Sequence, residues 1–150
     1  MNIINPNHRF TRAPSIRRTT RRIVIHHLAS RGNPNAADIH RFHLVRRWIG
    51  IGYHYIIRLD GTIERGRPEN TVGAHVTGHN ADTIGIGLAG NFSRDNISGV
   101  QMTSLIWLVR DIRRRLGALT LHKHSDLDAT QCPGLNFPWD EFIRKVNEPA

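Results

Sequence analysis

The 150-residue sequence contains a single cysteine and no long apolar run. One cysteine cannot form a disulfide within the chain, so a disulfide-stapled fold is excluded. A membrane-spanning helix needs about 18 or more apolar residues, and no segment approaches that length. The first apolar stretch, IVIHHLA at 23–29, is interrupted by histidines and is too short for the core of a signal peptide. We therefore expect synthesis in a cytoplasm, without a secretory signal.

Acidic residues are scarce, with 12 Asp and Glu against 21 Lys and Arg, which gives a formal net charge of +9. This charge suits an anionic partner, such as nucleic acid, a lipid surface or an acidic polymer. No nucleic-acid-binding module is recognisable, so nucleic acid is not expected to be the main partner. Residues 1–22 contain six arginines and two prolines without periodicity, which predicts a solvated basic N-terminal arm.

The remaining chain, 23–150, has the length of one ordinary domain. Its apolar patterning predicts an α/β fold with a central mixed β-sheet of about four to six strands flanked by α-helices. Asp60-Gly61 is a strong hairpin signal between the second and third of these strands. The predicted strands are 22–28, 53–59, 62–66, 83–90 and 118–124.

Three helices are predicted, over 36–49, from the capping residue Ser98 to Leu116, and over 139–146. In the first helix, the apolar residues repeat at helical spacing and should form one buried face. These residues are Ile39, Phe42, Val45, Trp48 and Ile49.

The lone cysteine, Cys132, follows His124 by eight positions, and it could be a core residue, a nucleophile or a metal ligand. Local signatures of cysteine proteases are absent, whereas thiolate and imidazole are usual zinc ligands. A third ligand could come from His26 or His27 in the first predicted strand. Successive strand side chains point to opposite faces, so only one of these two can serve. The residues thus suggest a His, His, Cys zinc site. The alternative is that these are hydrogen-bonded structural histidines brought to this spacing by chance, since the sequence has ten.

Four segments occur in the order RRIVIHHLAS, GIGYHYIIRLDGTIERGRP, VGAHVTGHNADTIGIGLAGNF and HSDLDATQCPG. Together they resemble the zinc-dependent N-acetylmuramoyl-L-alanine amidases of the bacteriophage-lysozyme and peptidoglycan recognition protein type. The resemblance covers roughly residues 22–140. It implies that 23–150 is an amidase catalytic domain. Its expected reaction cleaves the amide between N-acetylmuramic acid and L-alanine of bacterial peptidoglycan.

The resemblance also implies roles for individual residues. One zinc ion would be held in a surface groove by His26, His124 and Cys132. Tyr53 and Thr130 would be catalytic; Thr130 stands where some phage enzymes have lysine, so it brings a hydroxyl without a charge. The residues expected in the substrate groove are His75 and Asn80.

The alternative function is a non-catalytic peptidoglycan-binding module of the same fold. Members that bind without cutting typically lack the cysteine ligand, so Cys132 favours an enzyme. A phage endolysin would be made in the host cytoplasm and would act on the cell wall after release. We further expect a monomer whose N-terminal arginines contact anionic envelope polymers.

Overall fold

The computed structural model describes residues 1–149, which form one six-stranded mixed sheet with three α-helices. The sheet order is β1-β4-β3-β5-β2-β6, and all neighbours are parallel except the antiparallel pair β3 and β4. The predicted mixed sheet with flanking helices is confirmed. The strands are β1 (Ile3–Ile4), β2 (Arg22–His27), β3 (Tyr55–Ile57), β4 (Ile63–Arg65), β5 (Thr83–Leu88) and β6 (Thr120–Lys123). The helices are α1 (Ala36–Val45), α2 (Gly99–Leu116) and α3 (Trp139–Asn147), with a short 3₁₀ helix at His124–Asp126.

The two faces of the sheet have different coverings. Ile23 and Ile25 of β2 lie in the main apolar core, which includes buried side chains of α2 and α3. Ile56 of β3 lies in a second, smaller cluster that includes Ala36 of α1. Strand residues covered on both faces are apolar at successive positions, as expected for a buried parallel strand. No helix within residues 1–149 is long and apolar enough to cross a membrane.

Helix α2 begins where the sequence predicted, because the Ser98 hydroxyl accepts the backbone N–H of Gln101 at 3.2 Å. Ser98 and Gln101 have the spacing of a capping box, but the Gln101 side chain does not complete one. Its amide instead donates to the backbone carbonyl of Ala89 at 2.9 Å, which ties the helix to the end of β5.

The predicted buried face of α1 is wrong. Phe42 and Val45 are 56% and 82% exposed, and the helix ends at Val45 rather than at residue 49. Its buried side chains include His40 and His43. Each imidazole accepts a backbone N–H through Nδ1, from Ile51 and Gly52 respectively, both at 3.0 Å. Because these bonds satisfy the buried polar atoms, the helix can turn its histidine side inward.

The predicted solvated arm is also wrong, because residues 1–22 are integrated into the domain. Strand β1 pairs with β4, and the N–H of Val72 donates to the carbonyl of Ser15 at 2.8 Å. The buried Arg17 guanidinium donates to the carbonyl of Thr71, also at 2.8 Å. These partners are distant in sequence, so local periodicity could not reveal them. Four arginines of this segment do remain exposed, namely Arg9, Arg12, Arg18 and Arg21.

We predict that acidification weakens the fold through His43 and His54. Both are buried, and burial lowers the pKa of each to about 4. In the unfolded chain these imidazoles titrate near the usual value of about 6.5, so between pH 6.5 and 4 the unfolded state binds more protons. Their contribution to the free energy of unfolding is full above about pH 6.5 and is lost as the pH falls toward 4. Urea unfolding at a series of pH values measures this loss.

The matched variant is His43→Asn. Its Oδ1 can replace Nδ1 as the acceptor for the Gly52 N–H, but it cannot be protonated in this range. The variant should therefore lose less stability between pH 6.5 and 4 than the parent chain. An equal or steeper loss of unfolding free energy in the variant would contradict the assignment of this pH dependence to His43.

Candidate metal centre

Three side chains converge at the carboxyl ends of the adjacent parallel strands β2 and β6. The register pairs Ile25 with Lys123, which brings the next residues, His26 and His124, side by side. Cys132 completes the group, and one potential ligand atom from each residue lies within 4.8 Å of the others. The Cys132 Sγ is 3.7 Å from His26 Nδ1.

The segment between His124 and Cys132 is closed into a loop by its own backbone. The N–H of Ser125 donates to the carbonyl of Cys132 at 2.9 Å, so the two ends of the loop are held together. The Asp126 carboxylate accepts the N–H of Lys123 at 3.0 Å and fixes the start of the 3₁₀ helix. Both potential ligands of this loop are thereby held near the same point.

The electrostatics of this group suit a cation. Burial lowers the pKa of His26 well below its usual value, and neighbouring His124 adds to this effect, so the imidazole is neutral. The buried Nε2 of His124 has no hydrogen-bond partner among the described residues. The Asp128 carboxylate lies 3.5 Å from that nitrogen, longer than a normal hydrogen bond. Two neutral imidazoles and a thiol are the donor set of a three-ligand catalytic zinc site.

Cys132 itself is poorly suited to act as a nucleophile. Burial raises the pKa of its thiol to about 12, and the nucleophilic form of cysteine is the thiolate. A bound cation would reverse this preference by stabilising the thiolate as a ligand.

The two histidines of β2 lie in different surroundings. His27 is directed away from Cys132 toward Phe92, and its Nδ1 accepts the Phe92 N–H at 3.0 Å. His26 lies on the opposite face of the strand, in the group with His124 and Cys132.

Tyr53 precedes β3, which begins at Tyr55 rather than at residue 53 as predicted. Its ring meets the His26 ring edge-on, with the centroids 5.1 Å apart. Burial, with a smaller contribution from Cys132, raises the pKa of Tyr53, so its phenol stays protonated. Thr130 is exposed, and its Oγ1 accepts the Cys132 N–H at 3.2 Å. The hydroxyl proton of Thr130 remains available for donation.

His75, which was expected in the substrate groove, does line the groove beside these ligands, and both its ring nitrogens are also bonded inside the protein. His75 is buried, with Nδ1 2.9 Å from His26 Nε2 and Nε2 3.1 Å from the Thr83 hydroxyl. Asn80 is engaged as well, since its Oδ1 accepts the backbone N–H groups of His75 and Val76, both at 3.0 Å. His75 lines the groove, and Asn80 lines an adjoining hollow that shares His75 and His124 with it.

Thr83 was not predicted as a functional residue, although the alternating glycines of TIGIGLAG are a signal of close packing there. A Cβ at Gly85 would lie 2.4 Å from Cγ of His75, and a Cβ at Gly73 would lie 2.8 Å from Cδ2 of the same ring. The alternating glycine at Gly85 therefore marks a close approach, as expected. The approaching group is the His75 side chain.

The groove beside the His, His, Cys group has a volume of about 280 Å³ and is lined in part by Tyr53, His75 and His124. Its far wall is formed by α1 and the following turn. There the Arg46 guanidinium lies 5.3 Å from the centroid of the Trp48 ring, a cation–π distance. A larger hollow of about 610 Å³ beside the end of α2 shares no lining residue with this groove.

Comparison with known proteins assigns this architecture. Residues 16–135 match the family model described as N-acetylmuramoyl-L-alanine amidase. The endolysin of Escherichia phage T7 is 32% identical over 127 residues, covering 80% of this chain and 84% of that protein. Peptidoglycan-recognition protein SC2 of Drosophila melanogaster is 33% identical over 130 residues, covering 79% and 70%.

A solved structure supports the same assignment over nearly the whole chain. The endolysin N-acetylmuramoyl-L-alanine amidase LysCS from Clostridium intestinale URNW superposes with a TM-score of 0.93 at 41% identity. The match covers 99% of this chain and 97% of that one. On the family match and these relatives, the chain belongs to the N-acetylmuramoyl-L-alanine amidase family.

Proposed function

We propose that this protein is a zinc-dependent peptidoglycan hydrolase. It cleaves the amide between N-acetylmuramic acid and the L-alanine of the stem peptide, and it acts on the bacterial wall after release from the cell that made it. One observation carries the proposal: His26, His124 and Cys132 converge beside an open groove in a chain of the amidase family.

The proposed ligands are the two imidazoles and the Cys132 thiolate, which together hold one zinc ion. A zinc ion held by three protein ligands would act as a Lewis acid and would lower the pKa of a bound water molecule. The protein must then orient the water and the amide, stabilise the developing oxyanion and deliver a proton to the leaving amine.

Tyr53 and Thr130 supply hydrogen-bonding groups for these tasks. The Tyr53 ring lies against His26, so its phenol can help to orient or deprotonate the water. Thr130 is exposed and its hydroxyl proton is available, which suits donation to the oxyanion. The Thr130 hydroxyl acts as a dipole, without the charge that a lysine would bring.

The groove explains how a polymer could reach these residues. It is open to solvent and lined by Trp48, Arg46 and Phe42 on the side of α1. Aromatic and cationic groups suit the sugars and carboxylates of peptidoglycan. His75, which lines the groove, and Asn80, which holds the loop that carries His75, are the residues proposed to support the substrate.

A peptidoglycan-binding module is the second candidate, since solved peptidoglycan recognition proteins share the fold. The ectodomain complex of peptidoglycan recognition proteins LCa and LCx, solved with tracheal cytotoxin, matches at a TM-score of 0.86 and 26% identity. The complete His, His, Cys group favours hydrolysis over recognition alone.

We predict that the protein releases stem peptides beginning with L-alanine from purified peptidoglycan, and that chelation abolishes this release. Added zinc should restore it, because the three proposed ligands would again hold the ion. Mass spectrometry of the digests measures the products. Cys132→Ser should lose the zinc content and essentially all activity, since a hydroxyl is a poor zinc ligand at neutral pH.

The control variant is Ser93→Ala, an exposed site outside the groove, which should cleave like the parent chain. The contrary result would be a zinc-loaded protein that sediments with the walls without cleaving them. That result would overturn the proposed hydrolase activity and favour the peptidoglycan-binding module.

We predict separate effects for the two proposed catalytic groups. Thr130→Val should lower kcat by about 10²–10³-fold, the usual loss for one oxyanion donor, whereas Thr130→Ser keeps the hydroxyl and should retain most activity. Tyr53→Phe should lower kcat by about 10²-fold while zinc content stays at one per chain. Equal kcat values for Thr130→Val and Thr130→Ser would show that the Thr130 hydroxyl does not contribute to catalysis.

We also propose that the exposed arginines of residues 1–22 concentrate the enzyme on anionic envelope polymers. The deletion of this segment would disturb β1, so substitution to glutamine is the cleaner test. The variant with Arg9, Arg12, Arg18 and Arg21 replaced should bind whole walls more weakly at low salt and cleave small soluble fragments normally. A matched control removes the same charge from exposed arginines elsewhere, at Arg41, Arg94, Arg114 and Arg144. Equal wall binding by the two variants would show that only net charge matters.

A further inference from the structure

His26 lies at the end of a chain of hydrogen bonds that runs away from the groove. Its Nε2 is 2.9 Å from Nδ1 of His75, and the Nε2 of His75 is 3.1 Å from the hydroxyl of Thr83. The Thr83 hydroxyl is in turn 2.7 Å from the backbone carbonyl of His79. His26, His75 and Thr83 are all buried.

The last bond of the chain fixes the direction of all the others. A carbonyl oxygen can only accept, so the single hydroxyl proton of Thr83 points to His79. The Thr83 oxygen must then accept from an N–H at Nε2 of His75. A neutral imidazole carries one N–H, so Nδ1 of His75 is an acceptor and receives the proton at Nε2 of His26.

This direction leaves Nδ1 of His26 without a proton. That nitrogen is the one that faces the thiol, 3.7 Å from the Sγ of Cys132. A metal ligand must offer a lone pair, and the hydrogen bond made by the other ring nitrogen selects which nitrogen does so. The chain therefore presents the lone pair of His26 on the side of His124 and Cys132.

The surroundings of His75 are built to keep this arrangement. Gly73 and Gly85 leave room for the ring, since a Cβ at either position would come within 2.8 Å of it. The Asn80 side chain clamps the backbone N–H of His75 and begins the turn that leads to β5. The ring and the backbone of His75 are thus both restrained by their neighbours.

We infer that His75 and Thr83 are positioning residues, which hold His26 in the Nε2–H tautomer so that its Nδ1 can bind the metal. This inference rests on the proposed function only in taking His26 as a zinc ligand. His75 acts on the metal centre through His26, and Thr83 acts through His75.

The first test is the tautomer itself, measured on the zinc-free parent protein. Long-range ¹H–¹⁵N correlation spectra of ¹⁵N-histidine-labelled protein distinguish a protonated from an unprotonated ring nitrogen. The expected result is an N–H at Nε2 of both His26 and His75. An N–H at Nδ1 of His26 would overturn the inference, whatever the activity of the enzyme.

The second test is zinc affinity, measured by competition with a chromophoric chelator. Thr83→Val removes the hydroxyl at nearly constant volume and should weaken zinc binding by about 10-fold, within the usual range for a residue behind a metal ligand. Thr83→Ser keeps the hydroxyl and should bind zinc within about twofold of the parent, below that range. Circular dichroism and thermal unfolding establish that each variant is folded before its affinity is compared.

The outcomes separate this inference from the proposed function. Folded Thr83→Val with the affinity of the parent chain would overturn the positioning role while leaving the hydrolase intact. A parent protein that binds no zinc would overturn the proposed function, and the tautomer spectrum would still decide the hydrogen-bond chain. Should Thr83→Val fail to fold, His75→Asn replaces it, since Oδ1 of asparagine can accept from His26 but its amide cannot match the bond to Thr83.

Discussion

The parallel pairing of β2 with β5 on one side and β6 on the other is the constraint on which the site depends. Pairing with β6 sets His26 beside His124, and pairing with β5 sets Gly85 next to Val24, two residue pairs before His26. A shift of one residue in either register would turn the side chains of a strand to the opposite face. The buried apolar residues of β2, which face the α2 side of the sheet, make such a shift costly. The packing of apolar residues on one face of β2 therefore fixes the position of the proposed metal ligand His26 on the other face.

Imidazoles serve as buried structural acceptors throughout this domain. His27, His40, His43 and His54 each accept a backbone N–H at Nδ1, at 3.0 Å in every case. Such residues look like candidate ligands or catalytic groups in the sequence, yet they hold loops and helices in place. What distinguishes His26 and His124 is that, within residues 1–149, no backbone N–H bonds to the nitrogen that faces the cluster. Counting satisfied ring nitrogens thus separates the two classes of histidine.

Sequence patterns predicted the parts of the structure that are determined locally or by alternation. The hairpin at Asp60-Gly61, the cap at Ser98 and the different faces of His26 and His27 all follow from short-range rules. The position of residues 1–22 and the buried face of α1 could not be predicted in this way. They depend on hydrogen bonds to backbone groups far along the chain, such as those of Ile51 and Val72. The hydrogen-bonding partners of His75 could not be predicted for the same reason, because Thr83 and His26 meet it only in the folded sheet.

Strand β1 covers what would otherwise be an open edge of the sheet. It consists of only two residues, and it pairs with β4, whose other neighbour is β3. An unpaired strand edge is a template for association with other chains. By covering the edge of β4, the amino-terminal residues therefore protect the sheet against aggregation, in addition to carrying charge. A chain shortened at this end would expose the edge of β4 and could self-associate through it. In a wall-binding assay, the protein lost to self-association would look like a loss of wall binding.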